Sequence, residues 1–251
     1  MIIRKSRHQI NLMETAGSIV AEVLSEIGSV IKPGMTTLEL DEIAYKIIIK
    51  NKATPTFKGY RGFPSSICSS VNNEVVHGIP SANIVLKDGD VVSVDVGATF
   101  KGMVGDSAVT FPIGTVSNDV KQLLTGTNEG LYAGIDKMRE GNHLEDVSAA
   151  IEDCALKYKF GIVRQYGGHG VGSSMHEDPF LFNYRTGDKG PLLKHGMVIA
   201  IEPMFNLYTD EVYTLADGWT VVTKDGKPSA HFEHTVLVTE GEPKILTDRN
   251  K

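Results

Sequence analysis

The sequence contains an internal repeat, and this repeat narrows the folds open to the chain more than any other feature. Residues 86–95 (LKDGDVVSVD) align with residues 193–202 (LKHGMVIAIE), so that Asp95 falls on Glu202. The same offset places residues 31–34 over residues 138–141 without a gap. A period this long excludes a solenoid and indicates an internal duplication. Since no Pro- or Ser-rich linker intervenes, we predict one domain, 1–251, made of two pseudo-symmetric α+β halves, roughly 1–115 and 116–251.

Each half has the same predicted order, two helices followed by strands and glycine turns. Apolar residues at helical spacing predict the helices, and a Thr36–Glu39 capping box marks the start of the second one. The predicted helices cover residues 8–31, 36 to about 48, 117–139 and 144 to about 161. Alternating valines up to Asp95 predict a strand, and residues 104–111 predict the next strand after a turn near Lys101-Gly102.

Composition excludes several classes of protein. A formal net charge of −6 argues against a nucleic-acid-binding surface. Two cysteines provide neither a disulfide framework nor zinc-finger spacing and favour a reducing compartment. No apolar run is long enough for a transmembrane helix. Because the N-terminal residues also lack an apolar signal core, the chain is predicted to be cytoplasmic and to have no membrane partner.

Acidic and imidazole side chains lie in segments that are otherwise apolar or rich in glycine. They are His77, Asp95 in SVDVG, Asp106 in VGDSA, His169 in GGHGVG, His176 in SMHED, Glu202 in AIEPM and Glu233 in HFEHT. Carboxylates in buried strands are costly unless a positive charge neutralises them. A hairpin would bring Asp95 and Asp106 face to face, although one of them could instead be a turn residue and the other salt-bridged. Taken singly, His169 also fits a turn and His176 also fits a surface position.

Together, the two aspartates, the two glutamates and one of the histidines form a hard, oxygen-rich set of potential metal ligands. Such a set suits two divalent ions drawn from Mn²⁺, Fe²⁺, Co²⁺ and Zn²⁺. Four carboxylates and one hydroxide carry five negative charges, which two divalent ions nearly balance. The sequence has no paired cysteines and no HExxH motif, which argues against zinc fingers and single-zinc proteases.

The motifs, in their order and spacing over nearly the whole chain, resemble those of type I methionine aminopeptidases of the M24 metallopeptidase family. The matching segments are 73–80, 95–97, 105–108, 168–172, 176–179, 202–204 and 232–235. The resemblance implies an α+β pita-bread fold, an antiparallel sheet lined by helices. It also implies a monomeric binuclear metallohydrolase that removes the N-terminal methionine of nascent polypeptides, preferring a small second residue. Transient association with the ribosome would fit that activity.

The same resemblance implies a role for each site residue. Asp95, Asp106, His169, Glu202 and Glu233 would bind the two metals, with Asp106 and Glu233 shared between them. Glu202 would also move a proton, His176 would donate a hydrogen bond to the developing oxyanion, and His77 would contact the substrate. The methionine pocket would comprise Tyr60, Phe63, Cys68, Met175 and Trp219. Plain core packing is the alternative for Phe63 and Met175, and Met175 replaces an aromatic residue that is common in bacterial relatives.

Two other functions are compatible with the same fold. A non-catalytic pita-bread binding module would be expected to lack metal ligands, whereas all five positions are filled here. Prolidases, aminopeptidase P and creatinases usually carry a large additional N-terminal domain, whereas this chain begins almost directly at the predicted catalytic fold. The sequence therefore favours the aminopeptidase.

Overall fold

Four α-helices and a set of short antiparallel sheets make up the computed structural model, which describes residues 1–249. Within that range the helices are α1 (Arg7–Val30), α2 (Thr37–Lys50), α3 (Asn118–Lys137) and α4 (Leu144–Tyr158). The predicted helices are confirmed to within about three residues at each end. No helix in residues 1–249 is long and apolar enough to cross a membrane.

Local sequence signals explain where the helices begin. Ser6 precedes α1, and its side chain accepts a hydrogen bond from Gln9 N while Gln9 Oε1 accepts one from Ser6 N. The predicted capping box is confirmed at α2, where Glu39 Oε2 lies 2.6 Å from Thr36 N and Thr36 Oγ1 lies 3.2 Å from Glu39 N. These reciprocal bonds satisfy backbone donors that have no partner inside the helix.

Fifteen strands lie within the described residues, and all their pairings are antiparallel. They are β1 (Thr54–Pro55), β2 (Ile67–Val71), β3 (Glu74–Val76), β4 (Val91–Phe100), β5 (Met103–Pro112), β6 (Gly161–Ile162), β7 (Gly168–Gly170), β8 (Glu177–Leu181), β9 (Val198–Ile201), β10 (Met204–Asn206), β11 (Val212–Thr214), β12 (Val221–Thr223), β13 (Ser229–His231), β14 (His234–Leu237) and β15 (Lys244–Ile245).

Two of the sheets carry the candidate site. In one, β4 lies between β1 and β2 and also pairs with β5. The other has the order β15-β14-β9-β7-β8. Two three-stranded sheets, β13-β10-β6 and β11-β12-β3, complete the described strands.

Each helix pair covers its own part of the core. Apolar residues of α1 and α2 pack with Val92, Val94 and Val96 of β4. Those of α3 and α4 pack with Ile199 and Ile201 of β9. The predicted alternation along β4 is confirmed, because its even-numbered valines face the helices. Asp95 therefore points to the opposite face of the sheet.

The turns before the repeated segments make the same hydrogen bonds in both halves. In the first half Gly34 N donates to Leu86 O at 2.8 Å, and at the equivalent positions of the second half Gly141 N donates to Leu193 O at 3.1 Å. The repeat seen in the sequence therefore corresponds to a repeated backbone arrangement that precedes β4 in one half and β9 in the other.

Candidate metal centre

The β4–β5 hairpin supplies the first two carboxylates. Its register places Ala108 opposite Asp95 and Gly97 opposite Asp106. The two aspartates therefore share one face as diagonal neighbours, whereas the sequence predicted that they would lie face to face. Desolvation raises the pKa of Asp95 to about 7. Desolvation and the nearby charge of Asp95 together raise the pKa of Asp106 well above its ordinary value. The shift at Asp106 shows that its negative charge is destabilised by that of Asp95.

His169 lies on β7, between β8 and β9. Its neighbours Gly168 and Gly170 are required by close backbone packing, because a Cβ atom at either would collide with the carbonyl oxygen of Ala200 or Asp178. Nδ1–H of His169 donates to the carbonyl oxygen of Gly170 at 2.9 Å. This bond leaves a lone pair on Nε2, and burial lowers the pKa of the ring to about 4.

The His169 lone pair faces carboxylates. Nε2 lies 3.7 Å from Asp106 Oδ2 and 3.4 Å from Glu202 Oε1. Glu202 follows β9 directly. Because β9 pairs with β7, the carboxylate lies beside the strand that carries His169. Desolvation raises the pKa of Glu202 well above its ordinary value, and Asp106 and Asp95 add to the shift. A lone pair opposed to carboxylate oxygens is repulsive unless a cation lies among them.

Glu233 completes the cluster from the segment between β13 and β14. Its backbone N–H donates to Ala108 O of β5 at 3.0 Å, which ties the segment to the aspartate hairpin. Burial, and then the charges of Asp106 and Glu202, raise the pKa of Glu233 well above its ordinary value. One donor atom from each of Asp106, His169 and Glu233 lies within 4.8 Å of the others.

The unpaired atoms of the cluster fit a divalent cation. Asp95 Oδ1, Asp106 Oδ1 and Glu233 Oε1 are buried and have no hydrogen-bond partner in the described part of the chain. Buried polar atoms normally have partners. Within residues 1–249 no lysine or arginine forms an ion pair with any of the four carboxylates. A divalent cation, which carboxylate and imidazole donors bind, would supply the missing positive charge.

A cavity of ≈ 380 Å³ opens onto the cluster. All twelve side chains that the sequence singled out line it: Tyr60, Phe63, Cys68, His77, Asp95, Asp106, His169, Met175, His176, Glu202, Trp219 and Glu233. The residues come from both helix-covered sheets and from the loops between them. Their placement brings the predicted ligands and the predicted substrate contacts into one space, while their individual roles stay predictions.

His77 lies on the wall of the cavity and has an uncommon backbone conformation. Its φ is 62°, a left-handed value that costs energy for a residue with a side chain. The ring packs edge-on against Tyr166, with centroids 5.5 Å apart, and against Trp219, with centroids 6.3 Å apart. Burial lowers the pKa of His77 to about 4, so the ring is neutral at pH 7. A strained residue held in this way is a candidate for substrate contact.

His176 stands beside His169, with ring centroids 4.3 Å apart. Its Nδ1 lies 2.8 Å from the hydroxyl oxygen of Tyr60. Burial, and then the nearby charge of Arg61, lower the pKa of the ring, which is neutral at pH 7. When Tyr60 donates its hydroxyl proton to Nδ1, Nε2 carries the remaining N–H. His176 then has one nitrogen fixed by the protein and one free to donate.

The five residues of the predicted methionine pocket belong to a single apolar cluster. The Phe63 and Trp219 rings meet edge to face at 5.1 Å. Cys68 of β2 stands directly opposite Asp95 in the strand register, so the apolar wall begins beside a carboxylate of the cluster. Burial, followed by the charges of Asp95 and Asp106, raises the pKa of the Cys68 thiol well above its ordinary value. Phe63 and Met175 are buried core residues and at the same time line the cavity.

The cavity wall also contains residues that the sequence motifs did not predict, among them Phe57, Tyr166, Phe180 and His231. His231 is the most informative of these. Strand alternation places residues 231 and 233 on the same side of an extended segment, and both occur in the motif HFEHT. That two-residue spacing in the sequence could have predicted that His231 lies beside Glu233. The aromatic residues gave no signal, because aromatic side chains also belong to ordinary cores.

The chain is similar to known proteins along almost its whole length. The sequence profile described as metallopeptidase family M24 matches residues 11–240. The chain is 52% identical over 247 residues to methionine aminopeptidase 1 of Bacillus subtilis, covering 98% of this chain and 99% of that protein. The crystal structure of methionine aminopeptidase from Thermotoga maritima superimposes with a TM-score of 0.97 at 44% identity, covering 99% of this chain and 100% of that chain.

A more distant likeness extends to a second kind of hydrolase. Prolidase from Pyrococcus furiosus matches with a TM-score of 0.80 at 22% identity, covering 99% of this chain and 66% of that chain. At this identity the likeness shows the fold alone. The α+β pita-bread fold expected from the sequence is thus confirmed.

Proposed function

Because the chain belongs to metallopeptidase family M24, we propose that it removes the N-terminal methionine from polypeptides by metal-dependent hydrolysis of the first peptide bond. The relatives named as methionine aminopeptidases match over nearly their full length, whereas prolidase shares only the fold and is longer. The proposed activity is therefore supported by similarity over the whole chain as well as by the residues of the site.

One observation carries the proposal: the unpaired carboxylates and the His169 lone pair converge beside an apolar slot. The carboxylate cluster provides a binding place for cations and a negative field that attracts a free amino terminus. The slot provides a place for one apolar side chain. A peptide that begins with methionine presents both groups on its first residue.

The family and the donor cluster support the use of divalent metal. We propose two ions from the set Mn²⁺, Fe²⁺, Co²⁺ and Zn²⁺, held by Asp95, Asp106, His169, Glu202 and Glu233. Asp106 and Glu233, whose donor atoms lie within 4.8 Å of each other and of His169, are the residues that would be shared by both ions. Divalent ions in such a site lower the pKa of water and polarise a carbonyl oxygen.

Glu202 is proposed to move the proton of the reaction. Its side chain is 13% exposed, whereas those of Asp106 and Glu233 are 3% and 2% exposed. The burial that raises its pKa makes the carboxylate bind a proton more readily than an exposed glutamate does. A carboxylate open to the cavity can accept a proton from water and pass it to the departing amine.

Two histidines are proposed to bind the peptide. His176, with Nδ1 held by Tyr60, donates from Nε2 to the carbonyl oxygen as negative charge develops on it. His77, held between Tyr166 and Trp219, contacts the scissile amide from the opposite aromatic wall. Both rings are neutral at pH 7, so each acts as a hydrogen-bond donor and adds no positive charge beside the metals.

The methionine side chain is proposed to occupy the slot formed by Tyr60, Phe63, Cys68, Met175 and Trp219. Aromatic rings and sulfur atoms make favourable contacts with a thioether. The raised pKa of Cys68 keeps its thiol uncharged, as an apolar wall requires. A preference for a small second residue comes from the relatives and belongs to the same proposal.

The remaining features of the proposal concern the cellular setting. We infer that the chain acts as one catalytic domain and as a monomer in the cytoplasm, where nascent polypeptides carry the N-terminal methionine. Transient contact with the ribosome is part of this hypothesis. The formal net charge of −6 supports the absence of a nucleic-acid partner.

Peptide hydrolysis by the metal-depleted protein tests the function. After addition of Mn²⁺, Fe²⁺ or Co²⁺, we expect release of methionine from Met-Ala-Ser. Acetyl-Met-Ala-Ser, which lacks the free amine, should not be cleaved, and Gly-Pro should be cleaved at less than about one hundredth of the rate.

Three outcomes would contradict the proposal. Cleavage of Gly-Pro in preference to Met-Ala-Ser would indicate a prolidase. Equal cleavage of the acetylated peptide would exclude recognition of the free amine. Absence of hydrolysis with every metal, in protein that binds the metal by calorimetry, would favour the non-catalytic binding module.

A further inference from the structure

His231 is buried beside the carboxylate cluster but belongs to none of the roles assigned above. It ends β13 and is 1% exposed. Thr110 of β5 fixes its backbone, because the Thr110 hydroxyl accepts from His231 N and donates to His231 O, both at 2.8 Å. Ser93 Oγ lies 2.8 Å from the same hydroxyl oxygen. The aspartate hairpin therefore holds His231 in place from the other sheet.

The imidazole of His231 points one nitrogen at two carboxylates. Nε2 is buried, and it has no hydrogen-bond partner among residues 1–249. It lies 3.8 Å from Glu202 Oε2 and 3.9 Å from Glu233 Oε2. A lone pair on Nε2 would repel both oxygens, whereas an N–H would be attracted to them. The geometry therefore favours the tautomer that carries its proton on Nε2.

Glu202 is the carboxylate that His231 Nε2 approaches most closely among the described residues. Glu233 is anchored through its backbone to Ala108 and lies within hydrogen-bond reach of Asp106. No described residue donates a hydrogen bond to the Glu202 side chain. His169 approaches it with Nε2 but cannot donate, because its proton is on Nδ1 and bound to the Gly170 carbonyl. Among the described neighbours, His231 is left as the donor for Glu202.

Resting on the proposed function, we propose that His231 is a positioning residue that donates Nε2–H to Glu202. A hydrogen bond of about 2.9 Å requires the two groups to close by about 0.9 Å, which a small rotation of the Glu202 side chain provides. The bond fixes the orientation of the Glu202 carboxylate, which lines the cavity. It thereby directs the lone pairs of Glu202 to metal and to the proton that it transfers.

The matched variants His231→Leu and His231→Gln test this role, since both replace the ring with a side chain of similar length and only Gln keeps an N–H donor. For His231→Leu we expect kcat on Met-Ala-Ser to fall about 10- to 100-fold, with KM within about threefold, and Mn²⁺ affinity by calorimetry to fall about tenfold. For His231→Gln we expect both quantities to recover to within about fivefold of wild type.

His234→Gln is the control for loss of a buried imidazole near Glu233. Its ring faces Thr247 and Arg249, with Nδ1 2.8 Å from Thr247 Oγ1 and Nε2 3.1 Å from Arg249 Nη2. This variant should lower the melting temperature of the metal-free protein, with kcat within about threefold of wild type. The metal-free His231 variants should melt within about 3 °C of wild type, because no bond to Nε2 is lost.

Two results would overturn the positioning role. Equal loss of Mn²⁺ affinity in the Leu and Gln variants would identify His231 as a metal ligand, since a carboxamide nitrogen is no substitute for an imidazole lone pair. If His231→Leu kept the kcat and the Mn²⁺ affinity of wild type, His231 would have no role in positioning Glu202. If wild-type protein binds Mn²⁺ but cleaves no peptide, the proposed function fails, and the affinity measurements still decide whether His231 acts on Glu202.

Discussion

At the scale of single residues, protonation is decided by the neighbours of each group. The four carboxylates of the cluster have raised pKa values, because burial favours their neutral forms and, for Asp106, Glu202 and Glu233, the nearby negative charges do so as well. The histidines of the cavity have lowered pKa values, because burial disfavours their charged forms. The sequence revealed the residue types and their apolar surroundings. It did not reveal which nitrogen of His169 is protonated, because that depends on the Gly170 carbonyl.

His176→Ala gives a test at this scale. Removal of the donor to the developing oxyanion should lower kcat about 10²- to 10³-fold, while Mn²⁺ affinity measured by calorimetry should stay within about threefold of wild type. Tyr60→Phe is the matched control, because it removes the bond to Nδ1 but keeps the ring, and should lower kcat by about tenfold or less. Full activity of purified His176→Ala on Met-Ala-Ser would refute the assigned role.

At the scale of elements, strand register places the ligands. The hairpin predicted from residues 91–111 is present, but its register makes Asp95 and Asp106 diagonal neighbours. Periodicity predicts which face a residue occupies and does not fix register, because register depends on the turn and on backbone bonds between strands. The order β9-β7-β8 similarly brings His169 beside Glu202, although the two residues lie far apart in the sequence.

Gly170→Ala tests the packing of β7 between its neighbours. The added methyl group would collide with the Asp178 carbonyl oxygen, and any shift of β7 that relieves the collision would also displace His169. We expect a loss of about 1–3 kcal/mol in the free energy of unfolding of the metal-free protein, measured by denaturant titration, together with weaker Mn²⁺ binding.

Gly241→Ala is the control for that substitution, because a Cβ atom there has no neighbour within 4 Å. Its free energy of unfolding should stay within about 0.5 kcal/mol of wild type. Equal stability and equal Mn²⁺ affinity in the two variants would show that β7 does not depend on the close approach.

At the scale of the whole molecule, two equivalent turns set up the strands that carry the cluster. Gly89 and Gly196, which occupy equivalent positions of the repeat, adopt φ values of 93° and 89°. Each precedes the strand that leads to a carboxylate, Asp95 in one half and Glu202 in the other. The candidate metal centre contains a carboxylate from each of these equivalent segments, and it is built from charges that destabilise the protein without metal. Site formation and stability are therefore opposed in this fold.

Asp95→Asn measures that opposition. Asp95 has a pKa of about 7 in the folded protein against an ordinary value of 3.8, so the folded chain retains a proton that the unfolded chain releases between these pH values. Ionisation of Asp95 therefore lowers stability as pH rises from about 4 to 7, and the cost is complete above 7. The metal-free Asn variant should melt above wild type, by a margin that grows with pH over this range.

Saturating Mn²⁺ should reverse the order of the two melting temperatures, so that wild type melts above Asp95→Asn. Wild type gains about 2.7 kcal/mol when the metal is at one hundred times its dissociation constant, and the Asn variant gains less because it has lost a ligand. Scanning calorimetry from pH 4.5 to 8, with and without metal, gives both comparisons. A melting difference that does not change with pH would show that the Asp95 charge carries no cost in the folded protein.

The helices, the capping box at Thr36, the hairpin, the repeat and the chemical character of the cluster could all be predicted from the amino-acid sequence. These features depend on local periodicity and on residue type, which can be read along the chain. The diagonal placement of Asp95 and Asp106, the tautomer of His169 and the approach of His231 to Glu202 became visible in the folded structure. Each of these depends on backbone register and on contacts between distant segments, which pattern along the chain does not specify.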